Sequence, residues 1–115
     1  MLDKCGGKFS FKTVLMLGVE IVSILQYFHF KNFIHNNVNP HHLLMGHGTK
    51  YGKLFLIDYS NASRYRDSQT LEHIENNSER KCDPRNINLM FTSIHCHKGH
   101  NTSRKDDLFS LLYMM

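Results

Sequence analysis

The sequence predicts an α+β fold that is mainly helical and contains one small β-hairpin. Two stretches, residues 11–29 and residues 103–115, place apolar residues at helical spacing. Between them lie two short apolar runs separated by a glycine-rich segment, which is typical of a hairpin. Hydrophobic residues make up 41% of the chain and charged residues 21%, as in a globular protein. A length of 115 residues sets a ceiling of one domain.

The first helix is expected over residues 11–29. Its apolar positions recur every three or four residues and are Val14, Leu17, Ile21, Ile24, Leu25 and Phe28. The polar face is narrow, so this helix needs cover on most of its sides. Because polar and small residues such as Gly18 and Glu20 interrupt the apolar run, we expect no membrane span.

A loop and a hairpin are expected after this helix. Pro40 forbids a continuing helix and biases Asn39 towards an extended backbone. Leu43–Met45 and residues 53–57 then form the two strands. The three glycines in residues 46–52 link two strands and do not open onto a helix, so they do not indicate a phosphate-binding loop.

The last helix is expected to begin at Ser103, a residue type that caps helix N-termini. Asp106 then lies in the first turn, near the positive end of the helix dipole. Leu108, Leu111 and Leu112 continue the pattern as an apolar face.

Six blocks of the sequence have close counterparts, in the same order, in one family of enzymes. The blocks are residues 12–17, 31–35, 44–46, 53–58, 65–67 and 104–107. On these blocks the chain resembles the casein kinase 1 family of serine/threonine protein kinases, and most of all its alpha-type members. The match covers roughly residues 9–115 and is weakest between Glu75 and Thr92.

The resemblance implies part of a protein-kinase large lobe, in a truncated and degenerate copy. The small lobe is expected to be absent, residues 1–8 to form a flexible N-terminus, and residues 9–115 to form a partial kinase domain that ends within a helix. The resemblance also implies that Asp107 braces the catalytic loop from beneath. Leu112 stands where the family has a glycine, so it is expected to crowd a close helix contact.

The resemblance places the catalytic loop at residues 35–42. Asn37 stands at the position of the catalytic base, Asn39 at that of the lysine that contacts phosphate, and His42 at that of a metal-binding asparagine. Asp58 retains the second metal-binding position. Tyr59 and Ser60 follow it where the family has an aromatic residue and a glycine.

These replacements indicate a pseudokinase. The Asn37 amide cannot accept a proton near neutral pH, and the His42 imidazole suits Mg²⁺ poorly because Mg²⁺ prefers oxygen ligands. The sequence offers no counterpart of the glycine-rich loop or of the strand lysine that hold ATP. The family uses ATP and Mg²⁺ to phosphorylate protein Ser and Thr, but here we expect neither cofactor to bind well.

Three alternatives remain open. In the first alternative, the chain is a non-catalytic module that binds a protein partner through exposed apolar helix faces. In the second, it is the translated relic of a decayed gene copy. A more distant alternative is a zinc-binding module built from His and Cys residues. Its candidate ligands are His95, Cys96, His97 and His100, with His41 and His42 as a further pair, but they lack the paired spacing of zinc sites.

Charge and cysteine usage restrict partners and location. The net charge of +4 is scattered along the chain, so no nucleic-acid partner is expected. The cysteines Cys5, Cys82 and Cys96 are odd in number and unevenly spaced, so they do not describe a disulfide framework. A reducing compartment follows, and we expect the chain in the cytoplasm, with the nucleus as an alternative.

Overall fold

The computed structural model describes residues 7–74 and 88–115, which form three α-helices and two small antiparallel sheets. The α+β class is therefore confirmed. The expected β-hairpin is present, and the structure adds a second small sheet that the sequence did not predict. The elements, in chain order, are α1 (Phe11–Phe30), β1 (Phe33–Ile34), β2 (Leu43–Met45), β3 (Leu54–Leu56), β4 (Ser63–Arg64), α2 (Ile94–His97) and α3 (Arg104–Met114).

Helix α1 carries most of the core on one face. It begins after Ser10, whose hydroxyl accepts a hydrogen bond from the Thr13 amide at 3.2 Å. It ends before Asn32, which has a left-handed backbone with φ of 70°. Each fully buried leucine of this core contributes about 1.5–3 kcal/mol through the hydrophobic effect. The buried cluster contains Ile21, Leu25, Val38, Leu56 and Leu111.

The opposite face of α1 is apolar and exposed. Phe11, Val19 and Phe30 are 78%, 69% and 72% exposed. The sequence predicted that other elements would pack against most sides of this helix, but in the described part of the chain they pack against one side. Within the described part of the chain, α1 is also the one helix long and apolar enough to cross a membrane by length and composition, with a mean hydropathy of 1.5. The polar residues within α1 do not lower its hydropathy below that of a possible membrane span. Its inner face nevertheless packs in the core.

The hairpin and the second sheet frame the loop that follows α1. In the hairpin, β2 and β3 pair with Leu43 opposite Leu56 and Met45 opposite Leu54. The second strand is shorter than the predicted residues 53–57. In the second sheet, β1 pairs with β4 across about 30 residues of chain. Residues 35–42 lie between β1 and β2 in the chain, and both β1 and β3 contact α1.

Helix α3 begins as predicted. The Asp106 carboxylate accepts a hydrogen bond from the Ser103 amide at 2.7 Å, which caps the first turn. It also accepts one from the Ser93 hydroxyl at 2.6 Å, which ties α2 to α3. Leu111 is buried, but Leu112 is 62% exposed. The expectation that Leu112 crowds a helix contact is therefore wrong for the described residues, because its side chain is mostly exposed.

Replacing either of two glycines by alanine adds a Cβ atom, and the two replacements should have opposite effects on stability. A Cβ on Gly46 would overlap the backbone carbonyl of Lys50, which cannot move without reshaping the hairpin turn. A Cβ on Gly18 would lie 2.9 Å from Cε of Met115, the flexible end of a side chain.

We expect Gly46→Ala to lower the free energy of unfolding by about 2 kcal/mol, the usual cost of overpacking. We expect Gly18→Ala to raise it by up to about 1 kcal/mol, because alanine favours the helix and Met115 can yield. Urea unfolding measures both values. Equal destabilisation by the two variants would contradict this description of the two contacts.

Candidate functional site

The residues predicted as a degenerate catalytic loop are organised by the buried carboxylate of Asp107. One oxygen accepts the His35 backbone amide and the other accepts the Asn36 backbone amide, both at 2.9 Å. Asn36 has φ of 66°, a left-handed conformation that turns the two successive amides towards one anion. His29 of α1 lies 2.8 Å from the same carboxylate through its Nε2. Asp107 thus joins α3, α1 and the loop, and it makes the bracing contact expected from the resemblance.

His35 is fully buried, and its hydrogen bonds suit a neutral imidazole ring. Its Nδ1 accepts the Asn37 amide at 3.3 Å, and its Nε2 donates to the Ile57 carbonyl at 3.2 Å. A neutral imidazole provides one acceptor and one donor, which satisfies both contacts. Burial lowers the pKa of His35 below its ordinary value of 6.5, against a smaller opposing attraction from Asp107. The ring therefore serves as a structural link between the loop and the end of β3.

Asn37 and Asn39 face each other. The Asn39 side-chain amide donates to Oδ1 of Asn37 at 3.0 Å, and its own oxygen accepts the His41 backbone amide at 3.0 Å. Asn39 is 2% exposed, so it folds into the loop and does not project into solvent. The same Asn37 oxygen accepts the Asn88 amide at 3.2 Å. Neither residue supplies a charge or a base.

His42 joins Asn37 to Asp58. Its Nδ1 lies 2.9 Å from the Asn37 carbonyl oxygen, and its Nε2 lies 3.1 Å from Oδ2 of Asp58. The Asn39 side-chain nitrogen also lies 3.1 Å from His42 Nδ1, so this ring nitrogen contacts both Asn37 and Asn39. The four predicted site residues Asn37, Asn39, His42 and Asp58 form one cluster with His42 at its centre.

The second oxygen of Asp58 is held by Ser60, a residue whose role the sequence did not reveal. The Ser60 hydroxyl donates to Oδ1 at 2.6 Å and the Ser60 amide donates at 3.2 Å. These hydrogen bonds lower the pKa of the Asp58 carboxyl. A serine two residues after an aspartate is a common local partner, so this contact could have been predicted from the spacing.

The donor set at Asp58 does not fit Mg²⁺. This ion requires octahedral oxygen ligands. Here one carboxylate oxygen faces His42 and the other accepts two hydrogen bonds from Ser60. Within residues 7–74 and 88–115, no three His, Cys, Asp or Glu side chains converge as metal ligands.

The residues proposed as zinc ligands have other partners. Cys96 is buried and disulfide-bonded, so it is not a free thiolate. The number and spacing of the cysteines predicted no disulfide framework and a reducing compartment, so this bond was not expected. Cys5 and Cys82 lie outside the described residues. His97 Nε2 lies 3.0 Å from the Leu89 carbonyl oxygen, while the His95 and His100 rings contact each other at a tilt with centroids 4.5 Å apart.

Aromatic contacts fix the backbone around Asp58. Tyr59 stacks on Phe28 of α1 with ring centroids 5.4 Å apart, and its hydroxyl donates to the Leu56 carbonyl at 2.6 Å. Tyr59 also meets the edge of the His35 ring. The aromatic position after Asp58 is thus a packing link between the hairpin and α1.

No protein-family model matches the chain. Functional assignment therefore depends on the geometry and chemistry of the residues described above.

Burial of neutral His35 predicts a pH dependence of stability. Because its folded pKa is lowered, the unfolded chain takes up a proton below pH 6.5 that the folded chain does not. The contribution of His35 is fully present above pH 6.5 and is lost as the pH falls through the folded pKa. The free energy of unfolding should decrease by up to about 1.4 kcal/mol per pH unit in this window.

Urea unfolding between pH 7 and pH 5 measures this slope. The variant His35→Gln retains a hydrogen-bond donor but does not titrate, so its slope should be smaller by the His35 contribution. An identical pH slope in the two proteins would show that His35 does not titrate as described.

Proposed function

We propose that this chain is a casein kinase 1-like fragment of a protein-kinase large lobe that no longer transfers phosphate. The contact of Asp107 with the amides of His35 and Asn36 carries this proposal. The resemblance assigns that bracing contact to the same position. The order of helix, loop and hairpin before Asp58 supports the same assignment.

The ancestral reaction implied by the resemblance is ATP-dependent phosphorylation of protein Ser or Thr. A general base at position 37 would accept the substrate hydroxyl proton and typically accelerates such a step by about 10²–10⁴-fold. Asn37 cannot accept that proton, and its amide oxygen already receives hydrogen bonds from Asn39 and Asn88. General-base assistance is therefore lost at this position.

Electrostatic stabilisation of a transferring phosphoryl group is also lost. The lysine position is occupied by Asn39, which is neutral and buried against Asn37. His42 also lies near Asp58, but its Nε2 is directed at that carboxylate, 3.1 Å from Oδ2. It is therefore not placed to stabilise negative charge on a transferring phosphoryl group.

The test is to restore the catalytic side chains. The variant Asn37→Asp/Asn39→Lys/His42→Asn should show no transfer of the γ-phosphate of ATP to casein, as should the wild-type chain, because the 115 residues contain no counterpart of the strand lysine or glycine-rich loop that hold ATP. A radiolabelled transfer assay with an active kinase as positive control measures this. Mg²⁺-ATP should also leave the melting temperature of both proteins unchanged.

Measurable γ-phosphate transfer by the triple variant, or a rise in the wild-type melting temperature with Mg²⁺-ATP, would contradict this proposal.

A second candidate is a non-catalytic docking module. The observation that favours it is the exposed apolar face of α1, on which Phe11, Leu15, Val19 and Val22 lie along one side of the helix. An exposed apolar patch of this kind marks a protein interaction site or promotes aggregation. The partner it suits is a protein with an apolar groove, since this face carries few charges.

Charge placed on this face distinguishes the docking candidate. A partner captured on immobilised wild-type chain should be lost with Val19→Glu and retained with Lys53→Glu, because Lys53 lies in the exposed hairpin turn. Circular dichroism checks that both variants keep their helical content. Equal retention of the partner by the two variants would exclude α1 as the docking face.

A further inference from the structure

A second site lies between α2 and α3. A cavity of about 250 Å³ opens there, and none of its lining residues belongs to the loop around Asp107 and Asp58. Helix α3 contributes Lys105, Phe109 and Tyr113 to its wall, and the α2 region contributes His95 and Lys98. This volume is at the small end of ligand pockets, so the cavity suits a single small group.

One wall of the cavity is aromatic. Lys105, Phe109 and Tyr113 follow one another at intervals of four residues, which places them on one side of α3. The Phe109 and Tyr113 rings stack with centroids 6.3 Å apart and an interplanar angle of 27°. Each of these two residues is 43% exposed, so the rings remain open to a ligand. A planar ring can lie along this wall.

The mouth of the cavity is cationic. Lys98 and Lys105 both line it, and neither forms an ion pair with a carboxylate in the described part of the chain. The acidic residues next to them in α3, Asp106 and Asp107, are buried and bond to Ser93, Ser103 and the loop amides. No acidic side chain lines the cavity among the described residues, so its positive charge is not neutralised locally.

We propose that this pocket binds an aryl monophosphate, a phosphate ester of a single aromatic ring. The two lysine ammonium groups and His95 receive the phosphate dianion, since lysine binds phosphate as a point charge. The aromatic ring lies against Phe109 and Tyr113. A phosphate alone would leave the aromatic wall without a contact, and an aromatic ring alone would leave the two lysines without one. A ligand that carries both groups uses both parts of the pocket.

The experiment is calorimetric titration of the purified full chain with phenyl phosphate, inorganic phosphate and phenol. Phenyl phosphate should bind at least about ten times more tightly than inorganic phosphate or phenol, because it alone makes both the charged and the stacking contacts. Lys98→Ala and Lys105→Ala should each weaken phenyl phosphate binding about tenfold, the usual effect of losing a charge-assisted contact.

Two variants separate the pocket from nonspecific charge. Phe109→Ala should weaken phenyl phosphate but leave the affinity for inorganic phosphate unchanged. Lys53→Ala, which removes an exposed lysine in the hairpin, should change neither affinity. Circular dichroism establishes that each variant is folded as the wild type is.

A phosphotyrosyl peptide titrated in parallel distinguishes a peptide ligand from a small molecule, and binding of either one more tightly than inorganic phosphate supports the pocket. Equal affinity for phenyl phosphate and inorganic phosphate would overturn the proposal. It would also be overturned by an unchanged affinity in Lys105→Ala, or by the absence of binding to a folded wild-type chain.

Discussion

The buried carboxylate of Asp107 is the interaction on which the described fold depends. It is 1% exposed and receives two backbone amides of the loop and the imidazole of His29. A buried carboxylate is costly unless hydrogen bonds surround it, so α3, the end of α1 and the loop must keep this arrangement together. The apolar core formed by Leu25, Val38 and Leu111 supplies stabilising area, whereas Asp107 fixes which backbone segment lies above it.

Because Asp107 binds the backbone amides of His35 and Asn36, this contact does not depend on the side chains at positions 37, 39 and 42. Those side chains hold the following part of the loop, where the Asn39 side-chain oxygen accepts the His41 amide. In this chain Asn37, Asn39 and His42 satisfy one another, and His42 directs its Nε2 at Asp58. The loop therefore combines a backbone brace at Asp107 with side chains that hydrogen-bond to one another.

Much of the fold could be predicted because its signals are local. The apolar periodicity placed α1 within one residue of its observed end, and the Ser103 cap and the strand Leu43–Met45 were found where expected. The second sheet was missed because β1 and β4 are two residues long and pair across distant sequence. The exposure of Leu112 and the contact between His42 and Asp58 depend on tertiary packing, which no local pattern reports. The spacing of Lys105 and Phe109 is local to one helix, but the cavity opposite them depends on the position of α2, which the sequence did not predict.

Amide hydrogen exchange at His35 and Asn36 tests the central role of Asp107 most directly. Amides held by a buried carboxylate exchange only when the surrounding structure opens, so their protection should equal that of core amides in α1, such as Leu25. Substitution Asp107→Asn should reduce this protection. Rapid exchange at both loop amides in the wild type, while the α1 core remains protected, would show that the loop opens independently and that Asp107 does not hold it.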